Sequence, residues 1–394
     1  MNYLIASALL VNLDMITFFF VLPYQIADAG GAPEIVNIIN IIHALIYVIS
    51  AGLSGRLLRE CGDPMKILRL ILGGLSAIYT IDAILAEPLL LLLPCALHSL
   101  LLGIFWPAFW AAFYRSPDTG ILTVGTEMIL TMGSAVFGPV LAGAAYRYTG
   151  RYVLLVIALL TFIVMLLMRS GRDGSMAAPG SPGLRTDPGA ENSRIHIEHV
   201  RILILLLWLG AGGAGCLDGL FRSAAAAYLK ARGKGPEIWG MLQSVKILSQ
   251  ILSVAVICRI GENRFAFQGT RRKLFAGFGA LLAGSAILSC TVKIPFLIGS
   301  MVLLGSGCGV LLFLCMHIGS SLSGSLNQNL NGFAESITGA GILAGSVLSG
   351  VRRGNPFISF SVMNAVCAAG VLLFRCGELS AASGSTDEIQ GYRR

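Results

Sequence analysis

Leu13-Asp14, Tyr24, Pro33-Glu34-Ile35 and Arg56 recur as Leu217-Asp218, Tyr228, Pro236-Glu237-Ile238 and Arg259, each displaced by 203 or 204 positions. In both copies an acid sits deep in an apolar stretch, a second apolar stretch starts at Pro-Glu-Ile, and that second stretch ends at an arginine. A duplication of this kind restricts the chain to two like halves. The apolar stretches restrict each half to helices in a bilayer, because lipid offers a backbone N–H or C=O no partner outside its own segment. With 55% hydrophobic and 12% charged residues and a mean hydropathy of +0.79, the chain is far more apolar than a soluble globular protein. Two similar halves built around intramembrane charge point to a transporter.

A crossing needs about 20 apolar residues. Such windows fall at 3–23, 34–54, 67–85, 89–113, 121–145 and 151–168, and again at 202–225, 237–257, 274–291, 295–318, 333–350 and 356–374. The expected architecture is therefore all-α and polytopic, with twelve transmembrane helices in two pseudo-symmetric six-helix bundles. One bundle spans 1–169 and the other 194–376. Residues 170–193 between them are rich in Gly, Pro, Ser and charge and read as a flexible cytoplasmic linker, and 377–394 as a disordered tail.

Lys and Arg set the orientation. With the N-terminus in the cytoplasm, inner loops and tail carry eighteen of the 28 basic residues and outer loops eight, which puts both termini inside. The net charge of +8 is accordingly a topology signal and gives no support for nucleic-acid binding. Met1-Asn2-Tyr3 lacks the basic start of a cleavable signal, and Asp14 interrupts the stretch that follows. Nine scattered cysteines without C-x-x-C spacing read as small core residues. His196 and His199 fit an interfacial turn better than a metal site, so no cofactor and no metal is expected.

Over nearly its whole length the chain resembles the major facilitator superfamily, in its span number, its like halves and its central linker. Ala51 to Lys66 is similar to a stretched form of that family's loop between helices 2 and 3, with Arg56 matching and Gly55 standing where the family has an aspartate. Gly125, Gly133, Gly138-Pro139 and Gly143 resemble the glycine pattern of its exporters in the fifth helix. Glu335, Gly339, Gly341 and Gly345 repeat the theme in the eleventh, making Glu335 the counterpart of Glu127. Leu13-Asp14, Thr17 and Leu22-Pro23 look like the first-helix signature of drug:proton antiporters. The resemblance implies a secondary transporter of a small solute, working as a monomer in the plasma membrane by alternating access.

Candidate site residues are those whose depth is costly. A charged aspartate at mid-membrane costs several kcal/mol, roughly, unless paired. Asp14 is either the proton carrier or a helix-packing hydrogen-bond partner. Asp218 is its repeat-related equivalent. Asp218 and Arg222 lie four apart on one helical face and can pair within it, while Lys246, flanked by Gln243 and Gln250, needs a wet cavity or an acid, with Asp14 and Asp218 as candidates. Arg222 and Lys246 together make one side of a cavity cationic, which suits an anionic substrate or a neutral one held by hydrogen bonds. His43 reads as either cavity lining or packing, His98 and His317 likewise, and Asp82 as solvated. Trp106, Phe109, Trp110 and Phe113 form a stripe at helical spacing that either contacts substrate or packs helices.

The resemblance further implies that helix 2 faces helix 11 and helix 5 faces helix 8. Arg56 would then meet Glu335, and Arg259 would meet Glu127, as a cytoplasmic gate. Without a G-x-x-x-x-G-K-[ST] loop, an H-E-x-x-H or a G-x-S-x-G, neither ATP drive within the chain nor hydrolysis is indicated, and no enzyme is expected. The competing reading from another class is a membrane sensor or assembly partner that keeps the scaffold without transporting.

Overall fold

The structure, a computed structural model, describes residues 2–113, 121–170, 209–222, 229, 232–233, 236–261, 270–321, 326–351, 355 and 357–369. Among them regular structure is entirely helical. In chain order the helices are α1 (Asn2–Asp28), α2 (Pro33–Cys61), α3 (Pro64–Ile84), α4 (Leu92–Phe113), α5 (Ile121–Thr149) and α6 (Val153–Ser170). They continue as α7 (209–222), α8 (Pro236–Gly261), α9 (Thr270–Cys290), α10 (Ile294–Ser321), α11 (Leu326–Val351) and α12 (Phe357–Ala369). Among the described residues eight apolar stretches are long enough to cross a membrane, and one of them, Gly125–Met168, takes in most of α5 and α6. The linker beyond Ser170 and the tail lie outside the described residues.

Helix boundaries follow local chemistry. Proline at the first position starts α2 and α3, where its missing N–H costs nothing and its fixed φ suits a helix. Asp63 caps α3 by accepting from the Met65 N–H at 2.9 Å, and Gly62 ends α2 at φ +69°, a left-handed conformation that glycine adopts without strain. Hydropathy places the end of the first span at residue 23, yet α1 runs through Pro23 to Asp28. Its last turns are held from outside by the Gln25 amide, which donates to the carbonyls of Asp82 and Leu85 at 2.9 and 3.3 Å. A 3-10 turn, Gly150–Tyr152, separates α5 from α6, and Arg151 braces it by donating to the Leu85 carbonyl at 2.9 Å.

Polarity is sorted in the direction opposite to a soluble protein. Leu53, Leu70, Ile84, Phe137 and Leu159 are exposed, while Asp14, Asn40, His43, Glu127, Glu335 and Lys246 are buried. A surface of this kind suits lipid. Hydroxyls are accommodated by bonding within their own helices, as Ser99 does to the Cys95 carbonyl and Ser249 to that of Val245. One large apolar cluster gathers Leu4 through Met168 and also takes in Val254, Cys258 and Phe313; a second gathers Ala211 through Ala368.

The two sets of helices meet along two seams. α2 packs along α11 and α5 along α8, the pairing that the resemblance implies. On the first seam Ser349 donates to Asn37 at 3.2 Å, and Ser336 to the Val48 carbonyl at 3.1 Å. On the second, Ser244 donates to the Val136 carbonyl at 2.8 Å. Close approach is made by glycine: a side-chain carbon at Gly332 would strike the Ala51 carbonyl, and one at Gly339 the Tyr47 ring.

Candidate functional site at the seam

Four residues on α2 share one face through the helical period: Asn37, Asn40, Tyr47 and, at its margin, His43. This face turns to the second half of the chain. Tyr47 donates its hydroxyl to Glu335 on α11 at 2.7 Å, and the Trp110 indole from α4 adjoins the same carboxylate. Asn40 donates to the Arg222 carbonyl on α7 at 3.4 Å, leaving its own side-chain oxygen buried with no partner among the described residues; the same holds for His43 Nε2.

Arg222 crosses the seam from the other side. Its guanidinium carbon stands 4.2 Å from the Phe19 ring centroid and one of its nitrogens 4.0 Å from the Met15 sulfur, both on α1. Phe19 meets the His43 ring edge-on at 4.5 Å, so Arg222 and His43 flank one aromatic ring. His98 on α4 lies 5.8 Å behind His43 and is fixed by Tyr79 at 3.1 Å and by stacking on Phe18 at 4.3 Å. Among the described residues no carboxylate pairs with Arg222. Phe221 and Arg222 are π-wound, a helical irregularity that is frequent at functional sites.

Lys246 on α8 takes Asp218 as its partner, ammonium to carboxylate, and its head lies 5.2 Å from the Phe221 ring. Of the two pairings open to Asp218 in the sequence, the structure forms the one between helices. The Lys246 side chain is 6% exposed and that of Asp218 37%. Desolvation falls mainly on the lysine.

Asp14 stands apart from this group. The sequence offers Asp14 as one of two partners for Lys246, but Lys246 takes Asp218, and the groups of α1 against Arg222 are Met15 and Phe19. Each residue turns a helix by about 100°, so Asp14 and Phe18 face into the first half while Met15 and Phe19 face the seam. Asp14 is fully buried there, accepting from the Thr161 hydroxyl of α6 at 2.6 Å, and its second oxygen has no partner among the described residues.

The remaining candidates are distributed more widely. Trp110 is buried beside Glu335, whereas Trp106 is half-buried against Phe105 and Phe109, with ring centroids at 5.2 and 5.9 Å. Gln243 is half-buried and Gln250 buried. Neither gate pair forms in this structure: Arg56 bonds Glu60 one turn along its own helix at 2.9 Å, and Glu335 is taken by Tyr47. Arg259 is exposed, and Glu127 is buried with neither oxygen partnered among the described residues. Asp82, expected to be solvated, is 1% exposed because the ends of α1 and α6 cover it. His196, His199 and the His317 side chain lie outside the described residues.

Met15, Phe19, Asn40 and Tyr47 were not legible as site residues from charge and depth alone. The signal for the last two was the run Asn37, Asn40, His43 and Tyr47, polar at helical spacing on an otherwise apolar helix.

No family model matches the sequence, and no curated protein matches it. Solved structures do. The nucleoside transporter NupG aligns over 94% of this chain and 98% of its own, with a TM-score of 0.68 and 13% identity. The human organic anion transporter MFSD10 (TETRAN) aligns over the same shares, with a TM-score of 0.70 and 14% identity. At such identities the likeness establishes the fold, which is the major facilitator fold.

Proposed function

We propose that the protein is a secondary active transporter that moves a small organic solute across the plasma membrane by alternating access, as a monomer with both termini in the cytoplasm. The observation that carries this reading is the Arg222 guanidinium, which comes from the second half of the chain and rests on Phe19 of the first. A solute bound there touches both halves, so its binding can bias their relative position, which is the thermodynamic requirement for coupling binding to movement. The solved relatives in fold carry nucleosides and organic anions respectively, which supports a small organic solute here.

Proton coupling is assigned to Asp14, with Asp218 as its equivalent in the second half. Among the described residues Asp14 has only the Thr161 hydroxyl as a hydrogen-bond partner, a surrounding that suits a carboxyl group carrying its proton and makes a bare charge cost several kcal/mol, roughly. One helix links this acid to the seam, since α1 bears Asp14 on one face and Met15 and Phe19 on the next. Rotation or tilt of α1 as the seam opens would move both. Purified protein in proteoliposomes should accumulate solute against its gradient when an inward-directed pH gradient is imposed. Asp14→Asn should lose that accumulation while retaining solute exchange; a mutant that still concentrates solute would remove Asp14 from the coupling step.

A further inference from the structure

The seam site contains a half-buried cation with no carboxylate within ion-pair distance among the described residues. Lys246 is neutralised by Asp218, and Glu335 is engaged by Tyr47 and Trp110 outside ion-pair distance of Arg222. Arg222 retains a full charge and five N–H donors, against which the described residues set a thioether and the face of a phenyl ring. Neither replaces the water that a guanidinium gives up on burial. Two further polar atoms, Asn40 Oδ1 and His43 Nε2, are buried one turn apart on α2 without partners among the described residues, on side chains that touch the Arg222 carbonyl and the Phe19 ring. The Arg222 fork therefore has room for a carboxylate that the described residues do not supply. The planar guanidinium fork matches a carboxylate in two parallel hydrogen bonds.

We propose that this site takes a small organic carboxylate, with its carboxylate on Arg222, its polar substituents on Asn40 and His43, and its body against Phe19. The assignment rests on the reading of the seam as a solute site and names the class of solute. A neutral solute would leave the Arg222 guanidinium without an acid within ion-pair distance among the described residues.

Thermal stabilisation of the purified full chain tests this with matched pairs: benzoate against benzamide, indole-3-acetate against indole-3-acetamide, and acetate against acetamide. At least one acid should raise Tm where its amide does not. Arg222→Gln should weaken that acid by about 10- to 100-fold in Kd, the worth of a charge-assisted pair, and Arg222→Lys, which keeps the charge and loses the fork, should fall between. If no acid outperforms its amide, or if both variants bind the acid as the wild type does, the proposal is overturned. Failure of the two readings is distinguishable. An acid that binds through Arg222 but is not moved into proteoliposomes leaves the carboxylate site standing and removes transport. Uptake of a neutral solute such as uridine with a KM unchanged by Arg222→Gln does the reverse.

Discussion

Single side chains in this protein are constrained most by what they would leave behind if their partner were removed. Lys246 and Asp218 form one pair, but their exposures differ sixfold, at 6% and 37%. The cost of breaking the pair should differ accordingly. Asp218→Asn strands an ammonium with no access to solvent and should destabilise the protein by about 2 to 4 kcal/mol. Lys246→Met fills the same volume with apolar atoms and leaves a carboxylate that water can reach, so the loss should be about 1 kcal/mol or less. Thermal unfolding of both variants in the same detergent checks the order; equal losses would mean that the pair shares its desolvation evenly. The sequence singled out Asp14, Asp218, Arg222 and Lys246; the structure buries Asp14 and Lys246 and leaves Asp218 and Arg222 half-buried, and it also buries Asp82, which the sequence placed in solvent. The sequence left the partner of Asp218 undecided, because an i,i+4 neighbour and a residue on the next helix satisfy the same electrostatics.

Elements meet here through glycine. Gly215 and Gly219 on α7 lie against the backbone of Thr338 and Ile342 on α11, and Gly341 and Gly345 on α11 lie against Gly212 and Cys216 in return, so that a Cβ at any of the four would collide with main chain. Main chain cannot swing aside as a side chain can. Gly215→Ala and Gly219→Ala should each lower stability by about 1 to 3 kcal/mol. Gly279 in α9 is the control, since a Cβ there meets nothing within 4 Å; Gly279→Ala should be neutral or raise stability by up to about 1 kcal/mol through helix propensity. Comparable melting shifts at all three positions would show that the α7–α11 contact yields. Each apolar window of the sequence overlaps a helix among the described residues, and the windows 202–225 and 356–374 extend beyond those residues. The helix ends shifted by a few residues, because caps and outside contacts such as Gln25 to the α3 carbonyls extend a helix beyond its apolar core.

For the whole molecule, the α2–α11 seam is the contact that any alternating motion must loosen. It is bonded near the Pro33 end through Asn37 and Ser349 and packed near the Cys61 end through Ala51 and Gly332. A transport cycle opens one end at a time. With the exposed Cys61 and Cys290 replaced by serine, the pair Asn37→Cys and Ser349→Cys should cross-link under mild oxidant and arrest solute flux, and a reductant should restore it. Full transport with the cross-link formed would place the moving contact elsewhere.

The sequence by itself determined the class of this protein: the 203- to 204-residue repeat and the apolar windows require two like sets of helices in a membrane. It also determined which residues are too costly to sit at depth without a purpose. What it could not determine is azimuth. Asp14 and Met15 are neighbours in the chain, yet one faces Thr161 inside the first half and the other faces Arg222 across the seam. A turn of about 100° per residue separates those surroundings, and a strongly apolar helix such as α1 has no polar face in its sequence to fix the rotation. Only packing against the neighbouring helices decides it. The same holds for the gate residues: the repeat relates Arg56 to Arg259 and Glu335 to Glu127, but Tyr47 bonds Glu335 and Glu60 bonds Arg56, so each charge is taken up by its own surroundings.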